Sequence, residues 1–210
     1  MRPSVPVDAV RETLREARRR VDSLPQGAGA GAGTTLAGVA LTEIDGAGHW
    51  LVVNVGDSRT YRLSGGVFEQ LSVDHSLVQE LIDAGQLDEA TAAQDSRRNV
   101  ITRALGAGSD GEPDYRLFPA DEGDRILVCS DGLPNELDPM RIQGVLRTER
   151  HPQAAADRLV REAVAAGGRD NVTVLVIDAL AVRDDDLSDT LPSPRWEELR
   201  EDTLPRAHAV

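Results

Sequence analysis

Arg125-Ile126-Leu127-Val128-Cys129-Ser130-Asp131-Gly132-Leu133 is the stretch on which the fold turns. Its first six residues read as a β-strand, which stops on a carboxylate at a glycine-bearing turn. A second loop of the same design, Gly167-Gly168-Arg169-Asp170-Asn171, precedes another strand-like run, Val172 to Asp178. A third, Val55-Gly56-Asp57-Ser58-Arg59, closes the run Trp50-Leu51-Val52-Val53-Asn54-Val55. Carboxylates at strand ends, held on tight turns, are how a rigid scaffold aims hard oxygen ligands at Mg²⁺ or Mn²⁺. A single Asp in a loop is more often structural, because Asp-Gly is a common turn pair. Three such loops on one chain carry more weight and point to metal-dependent hydrolysis.

Outward from these loops, strands dominate the first half. Thr34 to Ile44 and His49 to Val55 read as strands, with Asp45-Gly46 as the hairpin turn between them. Thr60 to Leu63 and Val67 to Leu71 form a second hairpin across Ser64-Gly65-Gly66. Such runs joined by tight turns favour antiparallel pairing. Ser76 to Ala84 and Asp88 to Gln94 are short helices, the second capped by Asp88. With the Gly- and Arg-bearing stretch Asp95 to Gly111 they make an insertion between sheet segments, a usual place for substrate contact. Strands return at Tyr115 to Pro119 and Arg125 to Ser130, then helices at Pro139 to Arg147 and Pro152 to Ala166. Val172 to Ile177 is apolar on both faces, which predicts a central or well-covered strand.

The amino-terminal segment from 7 to 24 is an amphipathic helix. Val7, Val10, Leu14, Ala17, Val21 and Leu24 recur at three- and four-residue spacing, and Pro25 ends the run. Gln26 to Gly33 is a Gly/Ala loop that lacks a following Lys and opens a strand, so it is not a P-loop. The predicted order is helix, strands, helical insertion, strands, two helices and strand. It suits an α+β fold, an antiparallel β-sandwich flanked by helices on both outer faces. Residues 1–180 are read as the folded domain. Residues 181–210 are acidic and Pro-containing (Asp184-Asp185-Asp186, Leu191-Pro192-Ser193-Pro194) and are expected to be a disordered tail.

Composition narrows the functional classes. The 210 residues suit one domain with a real core, and 40% of them are hydrophobic. The formal net charge of -13 disfavours binding to nucleic acid or to an anionic membrane through bulk electrostatics. All 23 basic Lys+Arg residues are Arg, read here as GC-rich, bacterial coding. One cysteine, Cys129, excludes an internal disulfide framework; mid-strand, it is expected to be a small buried residue. No apolar run marks a signal peptide or a membrane span, so a cytoplasmic location is expected. Gly-x-Ser-x-Gly and an EF-hand loop are both absent from the sequence, which disfavours a serine esterase and a Ca²⁺ sensor.

Five motifs then fall in one order. They are Val55-Gly56-Asp57-Ser58-Arg59, Val73-Asp74-His75-Ser76, Asn99-Val100-Ile101-Thr102-Arg103-Ala104-Leu105-Gly106, Cys129-Ser130-Asp131-Gly132-Leu133 and Gly168-Arg169-Asp170-Asn171-Val172-Thr173. With Gly33-Thr34-Thr35 as a strand start, the chain resembles the type 2C (PPM) metal-dependent serine/threonine protein phosphatases in their compact bacterial form, from about Val7 to Ile177. The resemblance implies two antiparallel sheets packed face to face, and hydrolysis of phosphoserine and phosphothreonine on proteins by a water bridging two Mn²⁺ or Mg²⁺ ions. It implies phosphorylated proteins, substrates of serine/threonine kinases, as partners. Asp131 and Asp170 match ligands of the binuclear centre, and Asp57 matches a position that, with Asp131, helps hold a third, weaker ion. Ser76 to Gly106 matches a flap beside the site, where Arg97, Arg98 and Arg103 are available to meet phosphopeptide charge. His75 is expected to be structural, its ring hydrogen-bonded at the flap base.

The family's other groups lie ahead of the matched region: an acidic ligand on the first strand, a bridging Asp in an Asp-Gly motif, a phosphate-binding Arg and a His proposed as general acid. Asp8, Asp22 and Asp45-Gly46 do not lie in the matching motifs. The domain is therefore expected to be incomplete at its amino-terminal strands and to self-associate or take a partner chain through exposed sheet. Three readings stay open: a phosphatase, a fragment of a longer phosphatase, and a non-catalytic regulatory or phosphoprotein-binding module.

Overall fold

The computed structural model describes residues 5–24, 31–92, 95–106, 108 and 111–180. In chain order the elements are α1 (Val7–Asp22), β1 (Gly33–Thr34), β2 (Leu36–Ile44), β3 (Ala47–Val55), β4 (Arg59–Ser64), β5 (Val67–Gln70), α2 (Leu77–Asp83), α3 (Glu89–Ala92), β6 (Leu105–Gly106), β7 (Asp114–Pro119), β8 (Arg125–Cys129), α4 (Gly132–Glu136), α5 (Pro139–Thr148), α6 (Pro152–Ala166) and β9 (Val174–Asp178). All strand pairs are antiparallel, as the hairpin pattern predicts. One sheet has the order β2-β3-β7 and a second the order β5-β4-β8-β9, while β1 and β6 form a two-stranded ribbon.

Alternation along β8 sets the layers. Ile126, with Val128 packed beside it, faces Trp50 and Val52 of β3, and this is the core between the two sheets. Leu127 and Cys129 face the other way, against Leu133, Ile142, Val145, Leu146, Leu159 and Ala163 of the carboxy-terminal helices. A strand whose side chains are buried on both faces must lie inside the sheet, and β8 does. The Trp50 indole N–H donates to Asp124 Oδ2 at 2.8 Å, which ties the first sheet to the loop before β8. On the outer face of the three-stranded sheet, α1 brings the Arg11 guanidinium 5.0 Å from the centroid of the Tyr115 ring.

The turns are where the sequence places them. Asp45 (φ 50°) and Gly46 (φ 78°) make the two-residue reversal between β2 and β3, and Gly65 and Gly66 make that between β4 and β5. Pro139 and Pro152 open α5 and α6, and Asp138 caps α5 by accepting from the Arg141 N–H.

Several expectations need correction. The run from Thr34 to Ile44 is two strands, split at Thr35, because β1 leaves the sheet to pair with β6. The last strand is not central. β9 lies at the edge of its sheet, and Leu175 on it is 53% exposed. On its sandwich-facing side Ile177 packs against the core between the sheets, while Leu175 is left uncovered. A short helix, α4, follows Asp131, where only a turn is predicted. The tail from 181, part of the loop at 25–30 and the end of the 88–94 helix lie outside the described residues. No helix among the described residues is long and apolar enough to cross a membrane.

Candidate metal centre

Strand register gathers the three acidic loops. Cys129 pairs with Val174, so the loop leaving β8 and the loop entering β9 meet at one end of the sheet. Cys129 also pairs with Arg59 at the start of β4, which brings the Asp57 loop to that same end. Asp131, Asp170 and Asp57 therefore converge although up to 113 positions apart, counting from 57 to 170.

The Asp131 and Asp170 loops are stitched together. Ser130 N–H donates to Thr173 O at 3.1 Å, Thr173 N–H donates to Ser130 Oγ at 3.0 Å, and that hydroxyl donates to Asn171 O at 3.2 Å. Gly132 sits so close that a Cβ on it would stand 2.4 Å from Asn171 O. Glu136, at the end of α4, accepts from the Arg169 backbone N–H (3.1 Å) and from Arg169 Nε (2.9 Å). Its side chain is only 2% exposed, so this one carboxylate holds the turn that presents Asp170. Asp170 Oδ1 accepts from the Asn171 N–H at 2.7 Å, and Asn135 Nδ2 donates to Asp131 Oδ2 at 3.3 Å.

Electrostatics records the convergence. Burial pushes the Asp57 carboxyl above the ordinary carboxylate range, and the Asp131 charge pushes it further. Asp131 is raised in the same way, by burial first and by Asp170 next. Arg59 relieves both carboxylates in part, but its guanidinium is engaged by Asp74 (Nη2 to Oδ2, 2.6 Å). Asp131 thus stands between two like charges in a partly desolvated end of the sandwich.

In donor type, this set fits a hard divalent cation, which would relieve both the burial and the repulsion. It does not close a site by itself. Among the described residues no three His, Cys, Asp or Glu groups stand together so as to hold an ion. The chain supplies part of a donor set, centred on Asp131.

The three flap arginines differ in their partners. Arg97 makes a two-pronged pair with Asp95 (Nε to Oδ1 3.0 Å, Nη2 to Oδ2 2.8 Å), and Arg103 pairs with Asp114 at 3.0 Å. The Arg98 side chain is exposed and has no ion pair among the described residues. Cys129 is buried, with its thiol pushed up to about 12 by that burial, which makes it unreactive. His75 is buried at the base of the 76–106 segment, as expected, with Gly56 and Asp114 as ring partners. Sequence reasoning misses Glu136 and Asp114. Their partners lie 33 and 39 positions away from them, and no spacing rule connects such pairs.

Comparison with known proteins fits this architecture, although no family model matches the chain. The serine/threonine phosphatase stp of Listeria innocua is 36% identical over 148 residues, 70% of this chain and 57% of that one. The chain thus spans little more than half the length of that curated relative. The solved PPM Ser-Thr phosphatase MsPP from Mycobacterium smegmatis, in complex with cacodylate, superposes with a TM-score of 0.74 at 41% identity, covering 82% of this chain and 73% of that one. The catalytic domain of the serine threonine protein phosphatase PstP, in complex with 2 manganese ions, superposes with a TM-score of 0.66 at 34% identity, over 82% and 69%. The fold is that of a metal-dependent phosphatase sandwich. The chain belongs to the bacterial type 2C (PPM) serine/threonine protein phosphatase family.

Proposed function

We propose that the chain acts in hydrolysis of phosphoserine and phosphothreonine on proteins, with Mn²⁺ or Mg²⁺. Asp131 and Asp170 hold the binuclear pair, and Asp57 with Asp131 holds a third, weaker ion. When bound, the cations lower the pKa of water and offset phosphoryl charge. The observation that carries this reading is the position of Asp131, half-buried and flanked by two further carboxylates on this fold. Partly desolvated like charges that Arg59 offsets only in part are what an external cation would satisfy.

The chain's own residues orient and insulate. Glu136 and Ser130 fix the Asp170 loop against the Asp131 loop, and Arg59, itself paired with Asp74, tempers the charge of Asp131 and Asp57. Arg98, with no ion pair among the described residues, is the flap residue best placed to meet a phosphopeptide. Arg97 and Arg103 are available to do so only by leaving Asp95 and Asp114. Phosphorylated proteins made by serine/threonine kinases are the substrate class, and the manganese-bound catalytic domain of PstP supports Mn²⁺ as the ion.

A second reading, a phosphoprotein-binding module without catalysis, rests on one observation: three carboxylates do not close a two-cation site. Manganese-dependent release of phosphate from a phosphothreonine peptide separates the two. Release that disappears in Asp131→Asn supports the phosphatase. Saturable binding of the phosphopeptide without release supports the module.

A further inference from the structure

The Asp57 loop hangs on one residue that is not itself a ligand. Gly56 adopts φ +99°, and a Cβ there would stand 2.3 Å from Thr35 Cγ2. Only glycine meets both demands, but glycine by itself does not fix the direction in which the chain leaves towards Asp57. Both polar groups of Gly56 are instead engaged by His75, which is 4% exposed. The His75 backbone N–H donates to Gly56 O at 2.9 Å, and the Gly56 N–H donates to His75 Nδ1 at 3.1 Å. Asn54 Nδ2 adds a bond to Gly56 O (3.0 Å) and one to Val73 O (3.1 Å), which holds the two chain segments side by side.

These bonds fix the tautomer. Nδ1 accepts, so the neutral ring carries its proton on Nε2, which donates to Asp114 Oδ2 at 3.1 Å. Arg103 Nη1 lies 3.4 Å from the same nitrogen, but a guanidinium only donates, and its partner is Asp114 Oδ1 at 3.0 Å. Asp114 is thus braced by Arg103 and orients the imidazole. From His75 the chain leads directly into the flap. Ser76 bridges to Ile101, the Leu77 N–H donates to Val100 O at 2.9 Å, and the Thr102 N–H donates to His75 O at 2.9 Å.

We propose that His75 is a positioning residue. Through Gly56 it sets the Asp57 carboxylate beside Asp131, and through its own backbone it fastens both ends of the 76–102 segment to that pair. The proposal rests on the reading of Asp57 as a cation ligand and specifies what holds that ligand in place. Substrate-side movement of the flap would be felt at Asp57 through the ring and backbone of His75, and cation binding at Asp57 would steady the flap base.

Two near-isosteric variants separate the ring's two bonds. In His75→Asn the amide oxygen takes the place of Nδ1 and keeps the acceptor for Gly56. In His75→Gln the amide nitrogen takes the place of Nε2 and keeps only the donor to Asp114. The readouts are hydrogen exchange of the Gly56 amide by NMR, the dissociation constant for Mn²⁺ alone by calorimetry, and the thermal midpoint. His75→Gln is expected to speed exchange at Gly56 and to weaken Mn²⁺ about 10-fold, the effect of losing an outer support of a ligand. His75→Asn is expected to hold both near the parent, although both variants lose ring packing and both midpoints fall. In an Asp57→Asn background, His75→Gln should weaken Mn²⁺ no further.

Equal effects of the two variants on exchange and on Mn²⁺, or full additivity with Asp57→Asn, would overturn the proposal. Ring ¹⁵N shifts of the parent, which need no variant to fold, test the same point: a proton on Nδ1 overturns it. If the parent binds no Mn²⁺, the cation reading of Asp57 fails. The Gly56 exchange rates then still decide whether His75 sets that loop.

Discussion

At the scale of single residues, the carboxylates trade stability against binding. Asp57 and Asp131 have folded-state pKa values raised by burial and by their acidic neighbours. A carboxyl raised in this way favours folding below the ordinary carboxylate range, and that contribution is lost as pH rises through the raised value. At neutral pH both groups therefore weaken the cation-free fold. Asp131→Asn should raise the cation-free thermal midpoint at pH 7 by a few degrees, about 0.5–1 kcal/mol, while weakening Mn²⁺ at least about 10-fold. The stability gain should vanish below about pH 4, where the parent's carboxyls are protonated. Thermal melts from pH 3 to 8 with and without Mn²⁺ test both halves. A midpoint for Asp131→Asn at or below the parent's at pH 7 would contradict the strained-carboxylate account. Asp170→Asn is expected to weaken Mn²⁺ without unfolding the chain. All three aspartates are legible in the sequence because each ends or begins a strand on a glycine-bearing loop. The pairing of Arg97 with Asp95 and of Arg103 with Asp114 is not, because an exposed Arg has the same sequence signature whichever carboxylate it meets.

At the scale of elements, position in the sheet decides what a run of apolar residues does. The run at β9 reads as apolar on two faces and so as central, yet β8 lies inside the sheet and β9 at its edge. The difference comes from whether a strand partner exists on each side, which no local pattern encodes. α4 is missed because Gly132-Leu133-Pro134-Asn135-Glu136 is too short for a helical period and contains Pro134. Its function is geometric: it carries Glu136 to the Asp170 loop and passes Gly132 under Asn171. Gly132→Ala should therefore cost about 1–3 kcal/mol by pushing the two loops apart, and urea denaturation reads it directly. A cost below about 0.5 kcal/mol would show that the loops part easily. In α6, Leu159 is fully buried against the helix-covered sheet face, and Leu159→Ala should cost about 2–5 kcal/mol.

At the scale of the whole molecule, the open edges matter most. β2 and β7 are the outer strands of one sheet and β5 and β9 those of the other, and Leu175 on β9 is exposed. An unprotected edge with an exposed apolar side chain is a template for association. Sedimentation of the 210-residue chain should show concentration-dependent self-association, reduced by Leu175→Lys at little cost in stability; a clean monomer across the micromolar range would count against it. The sequence by itself determined the antiparallel hairpins, the two late helices, the sandwich class and the three acidic loops. Those features rest on turn chemistry, hydrophobic period and strand-end position, which are properties of neighbouring residues. Only the tertiary structure decided that Asp131 lies between Asp57 and Asp170, that Glu136 holds the Asp170 turn, and that His75 grips Gly56. Those relations depend on strand register and on partners tens of residues apart, and a linear pattern carries no information about which distant backbone a given side chain will meet.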